Sequence, residues 1–197
     1  MDMSQLLALL ITQGQKWIRE QRRVYRLQGR KLPESAIGQF SSFFEESLLQ
    51  QVRLVRVPAL ENPEFLEACR PTLADKGLPL LDFTSFAGIT YIDTILLVDE
   101  LPEADFDAPL FHELVHAVQY ELLGPEKFLE LYILGWINQG FNYAAIPLEM
   151  DSYELQNRFE AEPGVPFSVK NEVSRRLELM LEVEVFRRRW NLLKVDG

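Results

Sequence analysis

The sequence predicts an α+β chain, and three observations carry that prediction. Apolar residues recur at helical spacing through most of the length, two short runs rich in β-branched residues are bunched near 52–57 and 81–98, and Gly or Pro marks the joins. The chain has 197 residues, 47% of them hydrophobic and 25% charged, which suffices for one domain with a core of ordinary size.

The first helix is expected from Met3 to Tyr25, where Leu6, Leu7, Leu10, Trp17, Ile18, Val24 and Tyr25 alternate with Lys16, Arg19, Arg22 and Arg23. Its amphipathic face is read as packing on the domain or a partner chain rather than as an interfacial membrane anchor. Leu32-Pro33 closes it, and a second helix follows with Ile37, Phe40, Phe44 and Leu48 on one face. Val52, Leu54, Val55 and Val57 then read as a short strand. Asn62-Pro63-Glu64 predicts a helix start, with Asn62 as cap and a helix through about Cys69 before the breakers Pro71, Gly77 and Pro79. Leu81 to Val98 reads as a strand or hairpin pair ending in Thr94-Ile-Leu-Leu-Val98.

A further helix should start near Asp105 or Asp107 and stop at Gly124-Pro125. Others are expected over about Glu126 to Trp136, from Pro147 to about Phe159, and from about Val169 to Leu193, the last with Val173, Leu177, Leu181, Val185 and Trp190 on one stripe. No repeat or low-complexity tract is visible.

Charge and cysteine content remove several classes of function. A net charge of −10 disfavours a nucleic-acid binder, because affinity for phosphate backbones rests on clustered Lys and Arg. The basic runs Arg19 to Arg26 and Arg187-Arg-Arg189 are read as solvated helix faces. The single cysteine, Cys69, has no partner for an internal disulfide and is expected in the core. Leu6 to Ile11 is too short to span a bilayer and is preceded by Asp2 rather than by basic residues. The expectation is a cytoplasmic chain with no integral membrane segment.

The chemistry-bearing pattern lies in Leu110-Phe-His-Glu-Leu-Val-His-Ala-Val-Gln119. His112, Glu113 and His116 spell H-E-x-x-H on a helix and include both histidines of the chain. One turn separates the two imidazoles, so they can hold one metal ion while Glu113 reaches a water polarised by it. The pattern is a zinc-hydrolase signature. Catalytic zinc takes three protein ligands and keeps a position open. With no histidine or suitable cysteine left, the third should be a downstream carboxylate, the gluzincin arrangement. Glu149 on the Pro147 helix is the first choice, with Asp151 and Glu154 as competitors. Helical spacing puts them about 200° and 140° away from it, so one of the three should face the metal. Glu113 is expected to take the proton of the attacking water and pass it to the leaving amine. An oxyanion donor is sought among Tyr143, Tyr120, Tyr153 and Arg158, with Tyr143 ranked first. Asp151 or a backbone carbonyl would orient a histidine, and Gln119 would line the cleft or stay partly exposed.

The chain resembles minimal gluzincin-type zincin metallopeptidases. The likeness rests on the hairpin Gly88 to Val98 ahead of the H-E-L-x-H-x-x-Q helix, on the strand Val52 to Val57, and loosely on Glu149-Met-Asp-Ser-Tyr153. That last segment is similar to an E-x-x-A-D helix, with Ser152 as the small residue and Tyr153 where the pattern has aspartate. The resemblance covers about residues 50 to 160. It implies a zincin-like core, a small sheet over the metal-motif helix and a helical lower half, to which 1–50 and 165–197 are helical additions within a single domain. It also implies a peptide or protein substrate. Such a substrate could add as a strand along a sheet edge, a role open to Thr94 to Val98.

The contrasting reading is a catalytically idle zincin-fold interaction or regulatory module. A di-iron bundle fails because no second Glu-x-x-His exists, and a closed structural zinc would want four Cys or His ligands.

Overall fold

A computed structural model describes residues 3–100 and 106–181. The first helix, α1 (Met3–Arg26), is followed by β1 (Arg30–Lys31), α2 (Glu34–Phe40), α3 (Glu46–Gln51), β2 (Arg53–Val57) and α4 (Glu64–Asp75). The hairpin β3 (Gly88–Tyr91) and β4 (Thr94–Val98) leads to α5 (Asp107–Asn138) and α6 (Pro147–Ala161), and a last helix, α7, is described over 169–181. The expected remainder of α7, with Val185, Trp190 and the Arg187–Arg189 run, lies outside the described residues. The chain is mixed α+β, as expected. Among the described residues no helix is long and apolar enough to cross a membrane.

The four strands lie in the order β1-β2-β4-β3. β2 and β4 run parallel, Arg53 opposite Thr94 through Val57 opposite Val98, and α4 lies in the connection between them. β3 and β4 form a tight antiparallel hairpin with Tyr91 opposite Thr94. Thr94 to Val98 is therefore a central strand, which corrects its expected role as a free edge. Its run of buried residues matches a strand covered on both faces. Among the described residues the outermost strand on that side is β3.

The structure alters four expectations near the helix ends. The second helix is two, α2 and α3, because Glu45 is extended (φ −63°, ψ 137°), yet Phe40, Phe44 and Leu48 are buried as their spacing requires. Asn62 does not cap α4. Its Oδ1 accepts from the Phe83 backbone N–H at 2.8 Å, tying the start of α4 to the loop before the hairpin. Nor does α4 end at Cys69: it runs through Pro71 to Asp75, since Cys69 and Leu73 together fill a cluster with Leu6 and Leu10 of α1. The segment 81–87 holds a short 3-10 turn, Phe83–Ser85, so the strands begin only at Gly88.

α5 breaks where Gly124-Pro125 predicts it. Gly124 takes φ 70°, ψ 160°, a conformation open to glycine, and Asn138 ends the second limb. The first limb is buried from Leu110 to Tyr120. Phe111 stacks on Phe159 at 4.5 Å and meets Phe40, Phe43 and Phe44 edge-on, which locks the helix rotation and turns His112 and His116 toward α6.

The hairpin is held by charge. Ile92 sits at φ 65°, a strained backbone for a β-branched residue. The next residue, Asp93, is 3% exposed and over-determines the turn. Its carboxylate accepts from Arg22 twice at 2.7 Å, faces Arg26 at 2.9 Å and accepts from Gln51 at 3.3 Å. Arg19 in turn pairs with Glu126 and Arg23 with Glu20, so the basic face of α1 is engaged within the domain rather than only solvated. Burial is the largest influence and would raise the Asp93 pKa, but the hydrogen bonds and charge of Arg22, with Gln51 and Arg26, together outweigh it and hold the carboxyl below the usual aspartate range. Asp93→Ala is expected to cost about 2 kcal/mol at pH 7, less than the 3–5 for a fully buried pair because Arg22 keeps contact with solvent. A carboxyl depressed in the native state contributes stability above its unfolded pKa and loses it as pH falls through the native value. Urea titrations of wild type and variant should therefore differ at pH 5 and above and converge in strong acid. Equal stability at pH 7 would refute this role.

Candidate metal centre

Three side chains meet between α5 and α6. His112 and His116, one turn apart on α5, and Glu149, in the first turn of α6, offer ligand atoms all within 4.8 Å of one another. All three are buried. The two Nε2 atoms are 3.1 Å apart, His112 Nε2 lies 3.1 Å from one oxygen of Glu149, and His116 Nε2 lies 3.4 Å from the other. Tetrahedral ligands at zinc distances of 2.0–2.1 Å stand about 3.3 Å apart, close to the separation of the two Nε2 atoms and to that of each from its nearer Glu149 oxygen.

The outer nitrogens settle the proton inventory. His116 Nδ1 faces Gln119 Oε1 at 2.8 Å, and the Gln119 amide N–H donates to the Leu148 carbonyl at 3.0 Å, which fixes its oxygen toward the ring. His112 Nδ1 faces Gln156 Oε1 at 3.1 Å, and the Gln156 N–H donates to Glu160. Each Nδ1 must then donate. In neutral imidazoles both Nε2 atoms are left as lone pairs, and they converge with a carboxylate on one point with no proton among them. The cluster requires positive charge there, as a proton or as a metal ion. Without a metal, burial disfavours imidazolium at His116, yet the Glu149 carboxylate outweighs that and lifts the ring to about 9. Burial pushes Glu149 up, but the two histidines hold it well below the usual carboxylate range.

Glu149 is also gripped from behind, where Tyr132 donates to its Oε1 at 2.7 Å. The competing carboxylates are elsewhere. Asp151 and Glu154 both accept from Arg176 of α7, at 3.1 Å and 2.7–2.8 Å. Asp151 is thus no partner of a histidine, which corrects that expectation. The orienting groups are Gln119, which is fully buried rather than lining a cleft or partly exposed, and Gln156.

Glu113 is 6% exposed and lies beneath β3. The Thr90 hydroxyl is 2.7 Å from Glu113 Oε2 and 2.9 Å from the carbonyl of the same residue. A Cβ on Gly88 would stand 2.9 Å from Glu113 Oε1 and 2.5 Å from Leu97, so only glycine lets the strand come this close. Burial raises the Glu113 carboxyl, opposed by the nearby histidines and Thr90. A raised carboxyl beside a cationic site is suited to proton transfer near neutral pH.

Of the candidate donors, Tyr143 is brought to the site. It lines the same cavity as Glu113 and Glu149, packs on Phe86 at 4.7 Å, and burial followed by the Glu149 charge keeps its phenol protonated. Tyr153 lays its ring against His112 at 4.5 Å. Tyr120 is buried in a stack with Phe128 at 3.8 Å, and Arg158 is taken up by Phe167 and Glu172. Tyr132, Thr90 and Gln156 escaped the sequence reading. Only Gln156 left a signal, since seven residues from Glu149 is two turns along the same face of α6.

No protein-family model matches the chain, and searches of curated proteins and of solved structures give no significant match.

Proposed function

We propose that the chain is a zinc-dependent metallopeptidase of gluzincin type, hydrolysing amide bonds in a peptide or protein substrate in the cytoplasm. One observation carries the reading: two imidazole lone pairs and a carboxylate, their tautomers set by Gln119 and Gln156, converge at tetrahedral spacing beside a buried glutamate. Two nitrogens and one oxygen from the protein, with a position to spare, form the donor set of a catalytic rather than a structural zinc. When bound, zinc supplies the Lewis acidity that brings water to reactivity near neutral pH and polarises the amide carbonyl.

The residues account for the remaining chemistry. Glu113 accepts the proton of the attacking water and returns it to the leaving amine, while Thr90 holds the carboxylate by one of its oxygens. Tyr143, which lines the same cavity as Glu113, is the donor for the oxyanion. A substrate segment extended along β3, the outermost strand above Glu113, would bring its amide to the site by strand addition. The test is metal dependence. Zinc is expected at one ion per chain, with cleavage of casein or a peptide library abolished by a chelator and restored by added zinc. Cleavage that survives complete metal removal would overturn the proposal.

A further inference from the structure

Glu113, His116 and Glu149 border a cavity of about 120 Å³. Among the described residues its charged lining groups are these three, and its other walls are apolar or aromatic side chains apart from Thr90, which is bound to Glu113. Leu10, Gly14 and Trp17 of α1 form part of the lining, Leu129 and Ile133 of the second limb of α5 another, and Ile89 of β3 a third. The helices come close here because residue 14 is glycine: a Cβ would stand 2.7 Å from Leu129 Cδ2. An apolar hollow of about 150 Å³ in a protein core stays dry and takes up a benzene-sized molecule. A space of similar size, walled mostly by apolar and aromatic side chains and opening on the His112, His116 and Glu149 cluster, calls for an occupant that is apolar and attached to something polar.

We infer that this cavity is a binding pocket for one apolar group, the size of a leucine or phenylalanine side chain, carried by the molecule on which Glu113 acts. The inference rests on the metallopeptidase reading for where that group sits: next to the scissile amide, with the backbone of the substrate along β3. The pocket owes part of its wall to α1, a helix outside the segment that carries the zincin resemblance, so the specificity would be a property of this chain's own N-terminal addition.

The test has one arm that needs no turnover. Toluene is titrated by calorimetry into metal-free wild type, Leu129→Trp and Gly14→Ala, with circular dichroism to confirm folding. Wild type should bind saturably, Leu129→Trp at least tenfold more weakly, and Gly14→Ala between them as the displaced Leu129 tip intrudes. Should Leu129→Trp not fold, Ile133→Phe fills the same space from the next turn. In the second arm, zinc-loaded protein cleaves peptides with Gly, Ala, Leu or Phe beside the scissile bond. About fourfold in kcat/KM per buried methylene gives roughly sixtyfold from Ala to Leu, and Leu129→Trp should compress this below fivefold. Wild type that binds no toluene, or a folded filling variant that binds it equally, overturns the pocket. So does cleavage with no apolar preference or with one unchanged by Leu129→Trp. Toluene binding as expected with no peptide cleaved supports the pocket and removes only the hydrolytic reading.

Discussion

Glu113→Gln is expected to retain its zinc and lose peptide hydrolysis by about 10²- to 10⁴-fold, the span associated with removing a positioned general base. Retention follows because Glu113 is not among the three converging donors. The loss follows because glutamine keeps the shape of the side chain, and the Thr90 hydroxyl keeps its contact with the residue-113 carbonyl, while the group able to accept a proton is gone. Folding should not suffer, since a buried carboxyl whose ionisation is opposed by its surroundings is exchanged for a neutral amide. Metal content by plasma emission and turnover on a fluorogenic peptide measure the two halves separately. A zinc-loaded variant that turns over at the wild-type rate would remove Glu113 from the reaction. One that no longer holds zinc would make it a ligand instead.

The second large effect is on the metal itself. Glu149→Ala should weaken zinc binding by more than about 100-fold, exceeding the 10- to 100-fold typical of a lost supporting partner, because it removes one of three protein ligands. It also leaves the Tyr132 hydroxyl without the oxygen it donates to. Asp151→Ala and Glu154→Ala serve as controls: each removes an oxygen from Arg176 rather than from the metal centre, so zinc content should stay whole. Asp151→Ala should instead cost about 1–2 kcal/mol in denaturant stability, as Arg176 keeps its pairing with Glu154. Equal zinc affinity in Glu149→Ala and wild type would refute the proposed ligand set.

Local regularity explains which elements were legible beforehand. Helices α1, α5 and α6 lie close to the spans their apolar spacing predicts, and Gly124-Pro125 breaks α5 where a positive φ is needed. The misreadings arose where tertiary contacts overrode local signals. Asn62 has the side chain of a cap but spends it on Phe83, and Pro71 looks like a breaker but is carried through because Cys69 and Leu73 both have a place against α1. The order of strands was equally hidden. Thr94 to Val98 and Gly88 to Tyr91 are both good strand sequences, and nothing in either says which one β2 will pair with.

The amino-acid order alone determined that the two imidazoles share a helical face with a glutamate beside them, since the i, i+4 geometry of His112 and His116 is set by hydrogen bonds four residues long. Which acid completes the triangle, and that Gln119, Gln156, Tyr132 and Thr90 orient its members, was decided by tertiary structure. In an acidic chain one carboxylate resembles another until packing selects among them. Here the Phe111–Phe159 stack and the Arg176 pairings turn α6 so that Glu149 faces inward while Asp151 and Glu154 face α7.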